Sequence, residues 1–137
     1  MIERPRDWIT WAIIFATMFG FFDRTVARDL GQWENNDPAI SAWYRELKQP
    51  DNPTVPCCGE ADAYWADQIT VEGNKVFAVV TDDRDDAPLH RPHVPVGTKI
   101  EVPPHKYKFD RANPTGHNIL FLSTARDVFC FVQAGGV

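Results

Sequence analysis

Apolar and polar positions follow three different rhythms along the chain. From Trp8 to Phe22 there are fifteen residues without a charge, set between Asp7 and Asp23-Arg24. As a helix this run spans about 22 Å, short of the roughly 30 Å hydrocarbon core of a bilayer. Next, Ile40, Trp43 and Leu47 recur at helical spacing behind Asp37-Pro38, a capping aspartate followed by a proline at the first helical position. This predicts an amphipathic helix over 38–48, with the Trp43 stripe as core packing. Gln49-Pro50-Asp51-Asn52-Pro53 ends it, because two prolines and two Asx residues do not continue a helix.

Beyond the helix the period shortens to that of strands. Residues 68–80 hold ITV and KVFAVV around Gly73-Asn74, the pattern of a β-hairpin. TDDRDDAPLHRPHVPVG, polar and proline-rich, reads as a long exposed loop. Lys99 to Val102 forms a short strand closed by Pro103-Pro104, which 105–109 either extends or follows with a strand of its own. Asn118 to Leu122 and Asp127 to Val132 are two apolar runs joined by Ser123-Thr124-Ala125-Arg126, a second hairpin. The expected fold class is α+β: an N-terminal hydrophobic helix, one short amphipathic helix, then a small, mostly antiparallel twisted sheet or partly open barrel of about five strands. The expected division is a membrane anchor or signal segment over 1–28 and a small disulfide-tied domain over 29–137.

The uncharged run has three readings. It is the h-region of a secretory signal, with Thr25-Val26-Ala27 offering small residues for cleavage. It is a retained membrane anchor, with Trp8 and Trp11 at an interface and flanking arginines that snorkel. Or it is a buried core helix. Its six aromatics and Asp23 favour the anchor, which makes the membrane a partner through residues 8–22. Orientation is not set by charge, since Arg4 and Arg6 balance Arg24 and Arg28.

The chain of 137 residues is 44% hydrophobic and carries a net charge of −5, which excludes a disordered tail and leaves no basic face for nucleic acid. Residues 29–137 have ten basic and sixteen acidic side chains, a net −6 that repels anionic headgroups. Any attachment to a membrane therefore falls to the hydrophobic run.

Cys57 and Cys58 are adjacent, and Cys130 lies in the last apolar run. In an oxidising compartment one of the pair bridges to Cys130 and ties the region behind the helix to the final strand. Closing a loop of this length contributes about 3–4 kcal/mol in the chain-entropy model. Either member of the doublet suits this role, and the other is then an odd thiol. Trp65, Tyr64 and Phe129 or Phe131 are the expected packing around the bridge, with Trp43 from the helix. A vicinal Cys57–Cys58 bond is strained, and three reduced buried cysteines are the cytosolic alternative. No CxxC is present.

His90 and His93 stand in H-x-x-H spacing beside Asp82, Asp83, Asp85 and Asp86, a candidate site for a divalent metal such as zinc or copper, helped by a thiolate. An acidic solvated loop with incidental histidines competes with this reading. The acidic run lacks the glycine and terminal glutamate of an EF-hand loop. Ser41 and Ser123 lie in no nucleophile motif, Cys58 with a histidine and an aspartate leaves a thiol site open, and Asn113-Pro114-Thr115-Gly116-His117 reads as a tight turn.

WYRELKQPDNPTVPCCGEADAYWAD, EVPP, NPTGHNILFL and VFCFVQAGGV together resemble a group of small uncharacterised exported or membrane-anchored proteins of alphaproteobacteria and their phages. The matching positions are Trp43, Cys57, Cys58, Asp62, Val102, Pro103, Asn113, Gly116, Cys130 and Phe131. The DDRDDAPLHRPHVP stretch departs from the shorter members. The resemblance implies a body outside the cytoplasm and a domain design, without a reaction or cofactor. The expected function is a structural or protein-binding module of the cell envelope, inner-membrane anchored with a periplasmic body or secreted to the periplasm, with an envelope protein as partner. The alternative is a metal- or thiol-dependent binding or redox protein using the His90/His93 loop and a free cysteine.

Overall fold

The computed structural model describes residues 37–135, so the hydrophobic run at 8–22 and the proposed segment 1–28 lie outside the described residues. Asp37 caps the first helix, α1 (Pro38–Glu46), accepting a hydrogen bond from the Ala39 amide at 2.9 Å, with Pro38 at the first position. The helix ends two residues earlier than its apolar spacing predicts. Leu47 turns to an extended ψ of 124°, and its carbonyl accepts from the Cys57 amide while the Gln49 amide donates to Val55. The returning 55–57 segment thus takes over the backbone groups that another helical turn would use.

Seven strands follow: β1 (Ala63–Trp65), β2 (Gln68–Glu72), β3 (Lys75–Val79), β4 (Lys99–Glu101), β5 (Tyr107–Asp110), β6 (Ile119–Leu122) and β7 (Val128–Ala134). They form two sheets, ordered β1-β6-β7-β5 and β2-β3-β4, where a single sheet or barrel of about five strands was expected. All pairs are antiparallel except β5 with β7. The strands beyond five are β1, only three residues long, and β5, which takes the second of the two alternatives for 105–109, a strand of its own.

The layers stack as helix, sheet, sheet. β6 is buried at all four positions, the continuous apolar run of a strand covered on both faces. On one face, Ala63, Ile119, Phe121, Cys130 and Val132 pack with Trp43, Tyr44 and Leu47 of α1 and its exit. On the other, Tyr64, Leu120, Leu122 and Phe131 pack with Ala78, Val80, Val94 and Val102 from the second sheet and its loops. Strand alternation sorts the residues between these two cores. A bulge between β6 and β7 at Phe121/Leu122 breaks the alternation once, and Phe129 and Cys130 both join the helix-side core. Trp43 also donates from Nε1 to Asp110 Oδ2 at 2.9 Å, fixing the helix to the far edge strand β5.

Two sequence expectations change here. Residues 81–97 are not simply an exposed loop: Asp82, Arg91 and Val94 are buried, and Ala87–Leu89 forms a short 3-10 turn. Phe131 does not pack around the cysteines, because it follows Cys130 directly on a strand and so faces the opposite core.

Phe121 has no exposed surface and sits at the centre of the helix-side core. Phe121→Ala is expected to lower stability by about 3–5 kcal/mol, read as a shift of the urea midpoint with an unchanged slope.

Candidate functional site

The cysteine site is built by the return of the chain from α1 and by the last strand. Cys57 and Cys130 are joined by a disulfide, with S–S 2.02 Å and Cα–Cα 5.5 Å across 73 positions. Both are fully buried. This selects Cys57 of the two candidates and excludes the vicinal bond. Cys58 remains a thiol, buried in the same core, in a left-handed backbone conformation at φ 86°. Trp43, Phe129 and the partly buried Trp65 pack in this core, whereas Tyr64, like Phe131, belongs to the opposite one because it alternates with Ala63 and Trp65 along β1.

A second polar centre lies along the outer edge of β1. In a β-sheet this edge exposes backbone groups that need partners. Here side chains supply them. Asp82 Oδ2 accepts from the Trp65 amide at 3.1 Å, Arg91 Nη1 donates to the Ala63 carbonyl at 2.8 Å, and the Thr81 amide donates to the Trp65 carbonyl at 2.9 Å. Asp82 and Arg91 pair with each other at 2.8 Å with side chains almost wholly buried. Arg84 grips both Asp82 oxygens, at 2.9 and 2.7 Å, and Arg91 Nε donates to Asp86. Burial alone pushes the Asp82 carboxyl up, but hydrogen bonds from Arg84, Arg91 and the Trp65 amide outweigh it and hold the carboxyl far below its ordinary range. Asp86 follows the same logic: burial raises it, and His93 and Arg91 bring it down further than burial lifts it. The Tyr44 phenol is pushed above its usual value, first by burial and then by Glu60.

The third group is a stack. The Trp65 indole carries the Arg84 guanidinium 4.1 Å from its ring centre and the His117 imidazole stacked at 3.9 Å and 12°. His117 Nδ1 is 2.8 Å from Asp67 Oδ2, while Asp67 Oδ1 accepts from the Asn118 amide at 2.8 Å. Trp65 is thus covered by a cation and an imidazole instead of presenting an open ring to a ligand. The Asn113–His117 segment is the tight turn expected: Asn113 Oδ1 accepts from the Thr115 amide and hydroxyl, and Gly116 takes φ 73°.

The candidate metal ligands are not assembled. His93 Nδ1 is engaged by Asp86 Oδ2 at 2.7 Å, and His90 caps the 3-10 turn in a left-handed conformation. Among the described residues no three His, Cys, Asp or Glu side chains stand where they would hold a metal ion. A cavity of about 260 Å³ opens elsewhere, between Val76, Val102, Pro104 and Tyr107 under the Lys75–Glu101 ion pair, without a histidine or cysteine in its lining. Neither the Asp82–Arg91 pair nor the Trp65 stack was anticipated. The signal for the first was an acidic run, Asp82 to Asp86, with one arginine inside it and a second, Arg91, five residues beyond, since buried charges occur mainly as pairs.

Comparison of the chain with protein-family models, curated proteins and solved structures finds no match in any of the three.

Removing one partner of the buried pair strands the other. Arg91→Met is expected to destabilise by about 3–5 kcal/mol in denaturant titration. Because the Asp82 and Asp86 carboxyls titrate lower in the folded chain than in the unfolded one, the native state binds fewer protons. Their stabilisation is complete above about pH 4 and is lost as pH falls through the depressed folded values. Thermal melts of the unaltered chain are expected to drop steeply below about pH 4, and Asp82→Asn to flatten that drop.

Proposed function

We propose that the protein is a non-enzymatic module of the cell envelope, held at the membrane by residues 8–22, whose disulfide-tied domain stands on the oxidising side and binds another envelope protein. The observation that carries this reading is the Cys57–Cys130 bridge, because buried structural disulfides belong to compartments where thiols oxidise. The uncharged run before the domain supplies a means of export or anchoring, and the resemblance to small exported and membrane-anchored proteins of alphaproteobacteria and their phages points the same way. The negative body supports the assignment of attachment to residues 8–22.

A binding role fits the chemistry better than catalysis. Asp82, Arg84, Arg91 and Asp86 are committed to one another and to the β1 edge. His93 and His117 each have a carboxylate partner, and Cys58 is buried in the core. A metal-dependent protein would need several such groups converging on one point, and among the described residues no three His, Cys, Asp or Glu side chains do so, while the Cys58 thiol is buried.

Fractionation of cells producing the full chain tests the placement. The expected result is recovery with the inner membrane, with the domain digested by added protease in spheroplasts but protected in intact cells. Recovery in the soluble cytoplasmic fraction would overturn it.

A further inference from the structure

Among the described residues, the second sheet leaves one long edge open. β2 is its outer strand, five residues in unbroken register with β3 from Gln68↔Val79 to Glu72↔Lys75. It contains no proline, lysine or bulge, the usual devices that keep an edge from pairing. The other edges are closed or blunted: β1 by Asp82, Arg91 and Thr81, β4 by its three-residue length with Lys99 and Glu101, and β5 by Lys108 and Asp110. β2 also bears two of the exposed aliphatic side chains, Ile69 at 40% and Val71 at 68%.

The hairpin geometry fixes which backbone groups are open. Glu72 and Lys75 flank a two-residue turn and form its hydrogen-bonded pair, so Gln68, Thr70 and Glu72 direct their N–H and C=O groups to β3. Ile69 and Val71 then direct theirs outward. We propose that this edge joins a second copy of the chain by antiparallel pairing of β2 with β2 about a two-fold axis at Thr70, giving a continuous six-stranded sheet.

The strand is complementary to itself in that register. Ile69 meets Val71 of the second copy and Val71 meets its Ile69, and each of these two pairs exchanges two backbone hydrogen bonds. Gln68 faces Glu72 of the second copy, an amide donor against a carboxylate, and Asp67 faces Gly73, so no like charges oppose one another. Ile69 shares a face with Ala78 and Ile100, its partners along the row. Pairing extends this apolar row across the axis and covers both exposed side chains. The contact is small, so association is concentration-dependent.

The test uses the full chain in non-ionic detergent, so that association through residues 8–22 is separated from association through the edge. Sedimentation equilibrium is expected to show a monomer–dimer equilibrium. Val71→Lys, at an exposed position, is expected to raise the dimer Kd at least about tenfold with little change in melting temperature. Val71→Pro removes an outward N–H while sparing the bonds to β3 and is expected to act likewise. Thr70→Cys, in a close non-hydrogen-bonded pair at the axis, is expected to form a disulfide between the two copies through position 70 of each. A chain that stays monomeric to about 1 mM, a dimer insensitive to both substitutions at Val71, or a bridge from the Thr70→Cys thiol to a cysteine at any other position would overturn the proposal.

Discussion

The Cys57–Cys130 bond is a covalent tie between two layers that otherwise meet through side-chain packing and a few hydrogen bonds such as Trp43 to Asp110. Cys57 lies where the chain returns from α1, and Cys130 lies on β7, an inner strand of the larger sheet. Trp43, Tyr44 and Leu47 supply the apolar surface that buries the bond, and the bond holds that surface against Phe121 and Val132. In so short a chain one core yields modest stability, and restricting the unfolded state by a closed loop is a large addition. The helix is nine residues long, too short to persist alone in water, so its existence depends on this attachment.

The Asp82–Arg91 pair plays a comparable part at the other side of β1, without a covalent bond. A three-residue edge strand has too few ladder bonds to hold its place. The carboxylate and guanidinium act as a surrogate neighbouring strand, accepting from Trp65 and donating to Ala63. Their burial is costly by itself, and Arg84, Asp86 and the β1 backbone supply the further hydrogen bonds that make it tolerable. The acidic stretch 82–86 is thereby part of the fold and not a solvated appendage. It also brings Arg84 onto Trp65, linking the clasp to His117 in the turn that leads into β6.

Much of this was legible along the chain. The cap at Asp37-Pro38, the glycine-containing hairpin around 73–74 and the apolar runs that became β6 and β7 rest on local rules, and local geometry obeyed them. The choice between Cys57 and Cys58 was not legible, because adjacency gives both nearly equal reach and the left-handed turn at Cys58 appears only in three dimensions. Phe131 was misplaced for a related reason: nearness to Cys130 in sequence puts it on the opposite face of a strand. The buried ion pair was hidden because a run of aspartates and arginines has the composition of a surface loop. What distinguished it was the neighbouring strand edge, a tertiary fact. The candidate metal site at His90 and His93 rested on spacing alone, and spacing does not state which carboxylate a histidine will meet.

The most direct measurement is disulfide mapping by mass spectrometry of the full chain taken from the cells that make it, with thiols trapped by acid quench and alkylation before lysis. Peptides linked through Cys57 and Cys130, with the alkyl label on Cys58, are the expected result. A label on all three cysteines, or a linkage through Cys58, would mean that this covalent tie does not form in the cell.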